Sequence, residues 1–178
     1  VMHNEFVIVG PEDDPAGIRG LDSAAEAFEH IAETGSAFVS RGDDSGTNMK
    51  ELDIWEDAGI NPRGKGWYFE AGAKMGDTLI AADRKKAYTL TDMGTFINYK
   101  PGIALEVLVK GDPLLRNQYS VIAVNPERFP HVRYREAMEF IAFVTSHQGQ
   151  GIIADFRSSG VRLFSPDAIP GVLKQDKG

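Results

Sequence analysis

Ala37-Phe38-Val39-Ser40-Arg41-Gly42-Asp43-Asp44-Ser45-Gly46-Thr47-Asn48 changes texture twice within a short span. Ala37 to Ser40 reads as a short strand and Arg41 to Thr47 as a tight polar loop. A helix should follow, with Met49, Leu52, Trp55 and Ala58 on its buried side and Gly59 as its stop. A strand that feeds a helix through a short loop is the building unit of an α/β sheet. The flanks repeat the alternation. Upstream, Phe6-Val7-Ile8-Val9 is an apolar strand ended by Gly10-Pro11, and Pro11 to Gly17 is turn-rich. Ser23-Ala24-Ala25-Glu26 has the form of a capping box, with Ser23 as N-cap. Ala25, Phe28, Ile31 and Ala32 then share a helical face, and Gly35 ends it.

Downstream, Asn61 to Gly66 is a connector and a helix is expected from Asp77 to Lys86. Ala87 to Leu90 is a brief strand, and Thr91-Asp92 can cap a helix running through Ile97. Ile103–Val109 and Tyr119–Val124 are rich in β-branched residues and read as strands. Two helices follow, one lined by Met138, Ile141, Val144 and Thr145, the other holding Ile152, Ile153 and Phe156. The pattern predicts an α/β fold with helices on both faces of the sheet and two lobes joined by crossing strands. Residues 10–99 would form one lobe; residues 1–9 and 100–178 would supply the crossing strands and the other lobe.

Composition narrows the classes. The chain has 178 residues, 42% of them hydrophobic, and a formal charge of −7; this is too apolar for a disordered chain and suits one domain or two small ones. A pI near 5.1 provides no basic field for a nucleic-acid backbone or an anionic membrane, although a small anion in a local pocket stays open. With no cysteine, disulfides, thiolate metal sites and a cysteine nucleophile are excluded. No apolar run approaches the ~18 residues of a membrane-spanning helix. Val1-Met2-His3-Asn4 has neither the basic head nor the apolar core of a signal peptide. The four histidines show no metal-site spacing, and Asp13-Asp14 reads as a solvated turn. Trp55 and Trp67 read as core, Arg84-Lys85-Lys86 as a solvated helix end, and Lys174 to Gly178 as a frayed tail.

The loop carries the chemistry. Its place between strand and helix puts backbone N–H groups at a helix start, where they lack partners and the dipole is positive. Ser45 and Thr47 add hydroxyls, and Gly46 lets a ligand approach the backbone. Arg41 adds a charged planar fork suited to oxyanions. Together these form an anion cradle. The plainer reading is an N-cap loop, with Asp44 or Ser45 capping and Gly46 as a turn residue. The segment is neither a P-loop nor a serine-nucleophile elbow, because neither spacing fits.

Arg41-Gly42-Asp43-Asp44-Ser45-Gly46-Thr47 resembles the Arg-Gly-Asp-x-Ser-Gly-Thr signature of the tungstate-binding proteins of ABC uptake systems. Asn4 to Pro11, Gly66 to Gly72, Met75 to Leu79, Ala87 to Asp92, Phe140 to Gly151 and Gly160 to Pro166 continue the likeness in order, over nearly the whole chain. The resemblance implies a type II periplasmic-binding-protein-like fold and an extracytoplasmic receptor. That receptor would take tungstate or molybdate between its lobes and deliver it to a membrane ABC permease, with no cofactor and no catalysis. It implies Arg41 as the charged ligand contact, Ser45, Gly46 and Thr47 as donors at the helix start, and Thr91 as a further contact. Of Asp43 and Asp44, one would brace Arg41 and the other would cap, and Asn48 stands where the family often has His. The family's Thr-Thr-Thr-Ser run is nowhere in this chain. The expectation is therefore a fragment whose first lobe is incomplete, which binds tungstate weakly and self-associates through the incomplete lobe. The competing readings are a phosphate receptor, the effector-sensing domain of a transcriptional regulator, and an enzyme acting on phosphorylated substrates. The last lacks a nucleophile–base pair.

Overall fold

Phe6, Val7, Ile8 and Val9 are all buried, and a strand with both faces covered must lie inside its sheet. In the computed structural model, which describes residues 1–169, they belong to β1 (Met2–Gly10). β1 pairs antiparallel with β4 (Thr89–Asp92) on one side and β5 (Glu106–Val109) on the other. Alternation along β1 then divides the core in two. Phe6 and Ile8 pack with Phe28 and Ile31 of α1 (Ala24–Thr34) and with Ile54 and Trp55 of α2 (Gly46–Asp57). Val7 and Val9 pack with Leu79 and Ala82 of α3 (Met75–Lys85) and with Phe96 of α4 (Met93–Tyr99). A second, two-stranded sheet pairs β2 (Phe38–Ser40) in parallel with β3 (Tyr68–Glu70). Phe38 also bridges in parallel to Tyr88, just before β4.

The described chain divides into two compact units, Glu5–Arg116 and Val1–Asn4 with Asn117 onward. The first is wider at both ends than the 10–99 span read from the sequence and takes in β5 and most of β1. The second holds the start of β1, α5 (Tyr134–Thr145), α6 (His147–Asp155), the hairpin of β7 (Arg157–Ser158) and β8 (Val161–Arg162), and β9 (Ser165–Pro166). β9 pairs with Met2 and His3. Gln150 is wholly buried there; its Nε2 donates to the carbonyls of Val1 and Val144, and its Oε1 accepts from the Ala168 N–H.

Several expectations need correction. Ser23 caps α1 through the Glu26 N–H and Gly35 stops it at φ +62°. The buried face, however, is Ala24, Ala27, Phe28 and Ile31, with Ala25 and Ala32 only half-buried. In α2 the buried residues are Asn48, Glu51, Ile54 and Trp55, while Met49 is 51% exposed. The expected strand Tyr119–Val124 is not one. Asp112 caps a short helical turn at Pro113–Leu115, and the chain enters β6 (Arg116–Tyr119) directly from that turn. Residues 121–125 form no regular structure, and Ile122 is 86% exposed. β3 lies just beyond the expected connector, and Phe156 falls just past the end of α6. The Lys174 to Gly178 tail lies outside the described residues.

Candidate anion-binding site

The loop from Ser40 to Asn48 is fixed by its own backbone needs. The Ser40 carbonyl accepts from the Ala71 N–H at 2.9 Å and the Arg41 carbonyl from the Ala73 N–H at 3.3 Å. Gly42 has φ +59°, and a Cβ there would lie 2.8 Å from Glu70 Cβ, so glycine is required on both counts. Asp44 also takes a left-handed φ, +55°, which Asp tolerates better than most residues. The Gly42 N–H donates to Ser40 Oγ at 3.2 Å, and the Asp44 N–H donates to Asn48 Oδ1 at 3.1 Å. Asn48 Nδ2 donates to Ser40 Oγ at 3.1 Å. Ser40 and Asn48, both buried, therefore tie the two ends of the loop together.

At the start of α2, Ser45 is the N-cap and its Oγ accepts from the Asn48 N–H at 3.3 Å. Among the described residues the N–H groups of Gly46 and Thr47 have no acceptor, as expected for the first turn of a helix. Arg41 Nη2 donates to Asp43 Oδ2 at 2.5 Å, and Asp43 Oδ1 accepts from the Ser45 N–H at 3.2 Å. One carboxylate thus joins the guanidinium to the helix start. The Ser45 hydrogen bond, and then Arg41, hold the Asp43 carboxyl below its ordinary range. The Arg41 side chain is only 16% exposed, and its Nε is buried without a partner among the described residues.

Beneath the loop lies Glu51, 2% exposed. Trp55 Nε1 donates to its Oε1 at 3.2 Å and the Tyr68 hydroxyl at 2.7 Å. Burial pushes this carboxyl up, against the lowering effect of hydrogen bonds from Ser40, Tyr68, Trp55 and Asn48. Burial and the adjacent Glu51 charge push the Tyr68 hydroxyl well above the usual tyrosine range.

Hydrogen bonds thus gather Arg41, Asp43, Asp44, Ser45 and Asn48 into one loop, and Gly46 and Thr47 follow at the helix start. Thr91 stands apart. It is wholly buried opposite Val7, and its Oγ1 donates to the Asp92 carbonyl at 3.2 Å. None of its hydrogen bonds reaches the loop. Because Phe38 and Tyr88 bridge in parallel, Arg41 just after β2 and Thr91 near the end of β4 nevertheless lie toward the same carboxyl ends, where ligands of open α/β sheets commonly sit. The sequence reading missed Ser40 and Glu51. Their signal is the spacing of Asn48, Glu51, Ile54 and Trp55, which puts all four on one helical face.

The donor set is one-sided. An unpaired guanidinium N–H, two unclaimed amides and the Thr47 hydroxyl stand at a positive helix end, which suits an anion rich in oxygen. The family described as the PBP superfamily domain matches residues 1–148. The chain belongs to the PBP superfamily. A "Putative ABC transporter anion-binding protein" of Haloferax volcanii is 54% identical over 95% of this chain and 51% of its own length. The tungstate-binding protein TupA of Peptoclostridium acidaminophilum is 39% identical over 94% of this chain and 60% of its own length. Among solved structures, the tungstate-binding protein TupA from Desulfovibrio alaskensis G20 matches 94% of this chain and 69% of its own, with 41% identity and a TM-score of 0.87. The PBP-superfamily chain thus spans about half to two thirds of the curated relatives it matches. Among its described residues no helix is long and apolar enough to cross a membrane.

Proposed function

We propose that this PBP-superfamily chain is part of an extracytoplasmic solute receptor that captures tungstate, or molybdate, for an ABC permease. In this reading Arg41 is the charged contact, Ser45, Gly46 and Thr47 present the helix start, and Thr91 contributes from the neighbouring strand. Asp43, Asp44 and Asn48 shape the loop. The observation that carries the reading is the buried Arg41 Nε without an acceptor, joined through Asp43 to a helix start with two unclaimed amides. A buried donor left unpaired costs about 1–3 kcal/mol; a bound oxyanion would remove that cost. The chemistry is capture rather than catalysis and uses no cofactor.

The choice of oxyanion follows from the acceptors. Phosphate keeps a proton near neutral pH and profits from an acceptor in its pocket, whereas tungstate and molybdate want donors only. Asp43 is the carboxylate nearest the donors, and both its oxygens are engaged by Arg41 and Ser45; Asp44 is exposed. This favours tungstate over phosphate. Taken by itself, the chain surrounds the anion with one set of donors and leaves other oxygens to water. It should therefore bind more weakly than its longer relatives. It should also self-associate through the exposed apolar faces of α5 and α6. Isothermal titration with tungstate, molybdate, sulfate and phosphate, on the wild-type chain and on Arg41→Ala, tests the reading. Heats for tungstate and molybdate that vanish in the variant are expected. A preference for phosphate, or binding unaltered by Arg41→Ala, would overturn it.

A further inference from the structure

We infer that Asn48 is the positioning residue of the oxyanion cradle, clamping both left-handed bends of the 40–48 loop from the first turn of α2 without touching the ligand. The inference rests on the reading of that loop as an anion site and goes one layer beneath it. Gly42 and Asp44 take φ values of +59° and +55°, and neither lies in a strand or helix that would pair its N–H, so each N–H needs a partner elsewhere. Both find side chains. The Asp44 N–H donates to Asn48 Oδ1 at 3.1 Å, Asn48 Nδ2 donates to Ser40 Oγ at 3.1 Å, and the Gly42 N–H donates to the same Ser40 Oγ at 3.2 Å. These bonds also fix which way the amide group points. A backbone N–H can only donate, so the Asn48 oxygen faces Asp44 and its nitrogen faces Ser40. Ser40 Oγ then spends both lone pairs, one on Asn48 and one on Gly42. Ser40 is wholly buried and Asn48 is 3% exposed, so the clamp lies out of reach of bulk water.

The backbone that carries Asn48 is anchored as well, since its N–H donates to Ser45 Oγ at 3.3 Å. Asn48 is the third residue of α2. In a capping box the side chain at that position reaches back to the N–H of the cap residue. Here the Ser45 N–H is already held by Asp43 Oδ1, and Asn48 reaches one residue further, to Asp44. The outcome is a sorting of amides. Those of residues 42, 44 and 45 are spent on the side chains of Ser40, Asn48 and Asp43. Those of Gly46 and Thr47 have no acceptor among the described residues and are left for an anion. Arg41 precedes the first bend and Ser45 follows the second, so the two bends set where the guanidinium stands against the free amides. A binding constellation works only when its groups are held to within about 0.5 Å. An apolar side chain at 48 would leave the Asp44 amide unpaired. An aspartate would offer Ser40 no donor and would put a second negative charge beneath the anion.

Two measurements on the chain decide the matter. The first is hydrogen exchange of the Gly42 and Asp44 amides by NMR, without ligand. The second is tungstate affinity by calorimetry. Asn48→Ala is expected to speed exchange at both amides and to weaken tungstate binding about tenfold, as for the loss of roughly one hydrogen bond to a charged group. Ser40→Ala cuts only the arm that reaches Gly42, so exchange there should rise more than at Asp44. Asn48→Gln keeps a donor and an acceptor but sets them one methylene further out. It should also loosen the loop, which keeps the test alive if Asn48→Ala fails to fold. Ile54→Ala, at a buried position of the same helix, should lower the melting temperature and leave loop exchange and affinity at wild-type values; this separates positioning from general stability. Wild-type exchange at Gly42 and Asp44 in the Asn48 variants would overturn the inference. So would wild-type affinity once exchange has risen, or an equal loss of affinity in Ile54→Ala. A chain that binds no oxyanion at all would instead remove the functional reading of the loop, and the exchange data would still decide whether Asn48 holds its shape.

Discussion

At Gly46 the backbone is ordinary helix, and an added Cβ would meet nothing within 4 Å. Neither turn geometry nor packing demands glycine there, and glycine in a helix is up to about 1 kcal/mol less favourable than alanine. The open space beside an unclaimed amide is the kind a ligand would use. Gly46→Ala should therefore keep or slightly raise the melting temperature while lowering tungstate affinity at least tenfold. A variant that binds as the wild type does would remove Gly46 from the contact surface. Gly42 is the contrast, since φ and the Glu70 side chain both require glycine, and any substitution there should cost stability. The sequence made Arg41, Ser45, Gly46 and Thr47 legible because their chemistry is local: an anion site at a helix start needs only the residues that form that start. Glu51 was not legible, because a lone glutamate within a helix ordinarily faces solvent. Only the tertiary position of Tyr68, beside Trp55 one turn along the helix, supplies the donors that let it be buried.

For α2 the question is which face turns inward. Apolar periodicity favours Met49, Leu52 and Trp55; the structure favours Ile54 and Trp55 with Asn48 and Glu51. The pattern misleads because two polar side chains, each hydrogen-bonded to other residues, occupy core-facing positions, and no hydrophobicity count credits satisfied polar groups. Two substitutions separate the faces. Met49→Lys should change stability by no more than about 0.5 kcal/mol. Ile54→Ala should cost about 2–5 kcal/mol, as for other buried aliphatic residues. Urea melts would show the order reversed if Met49 faced the core. The Glu51 carboxyl adds a pH signature. Burial raises it above its ordinary value of 4.5 in the folded protein. Below that value both folded and unfolded chains hold the proton. As pH climbs past it, the unfolded chain releases its proton first, so the folded state binds more protons and stability falls with rising pH. The fall stops once the folded carboxyl has ionised as well. Glu51→Gln lacks this slope. Wild-type stability measured relative to the variant should therefore decline from about pH 4 toward neutrality. A rise over the same range would mean that its hydrogen bonds outweigh burial.

For the whole molecule, the sheet is legible from Phe6 to Val9, because an unbroken apolar run fits only an interior strand. The helices on its two faces follow from caps and periodicity. The region after Arg116 was read less well. The run Ser120-Val121-Ile122-Ala123-Val124 has strand propensity, yet among the described residues no partner strand takes it and Ile122 stays in solvent; propensity without pairing makes no strand. The same region supplies the last prediction. α5 buries none of its residues, and Met138, Phe140 and Phe143 are exposed together with Ile152 and Phe156. A soluble monomer seldom leaves so much large apolar surface open. A second copy of the chain can cover it, since a surface that meets its own copy about a two-fold axis closes the assembly. Light scattering should report a dimer or larger species whose mass falls on dilution. Phe140→Glu and Ile152→Glu should shift it to monomer while leaving the thermal melt of the Glu5–Arg116 unit unchanged, because neither residue contributes to its core. A wild-type chain that stays monomeric across the concentration range would show that this face needs no cover. The weaker tungstate binding expected of the chain by itself would then stand without help from self-association.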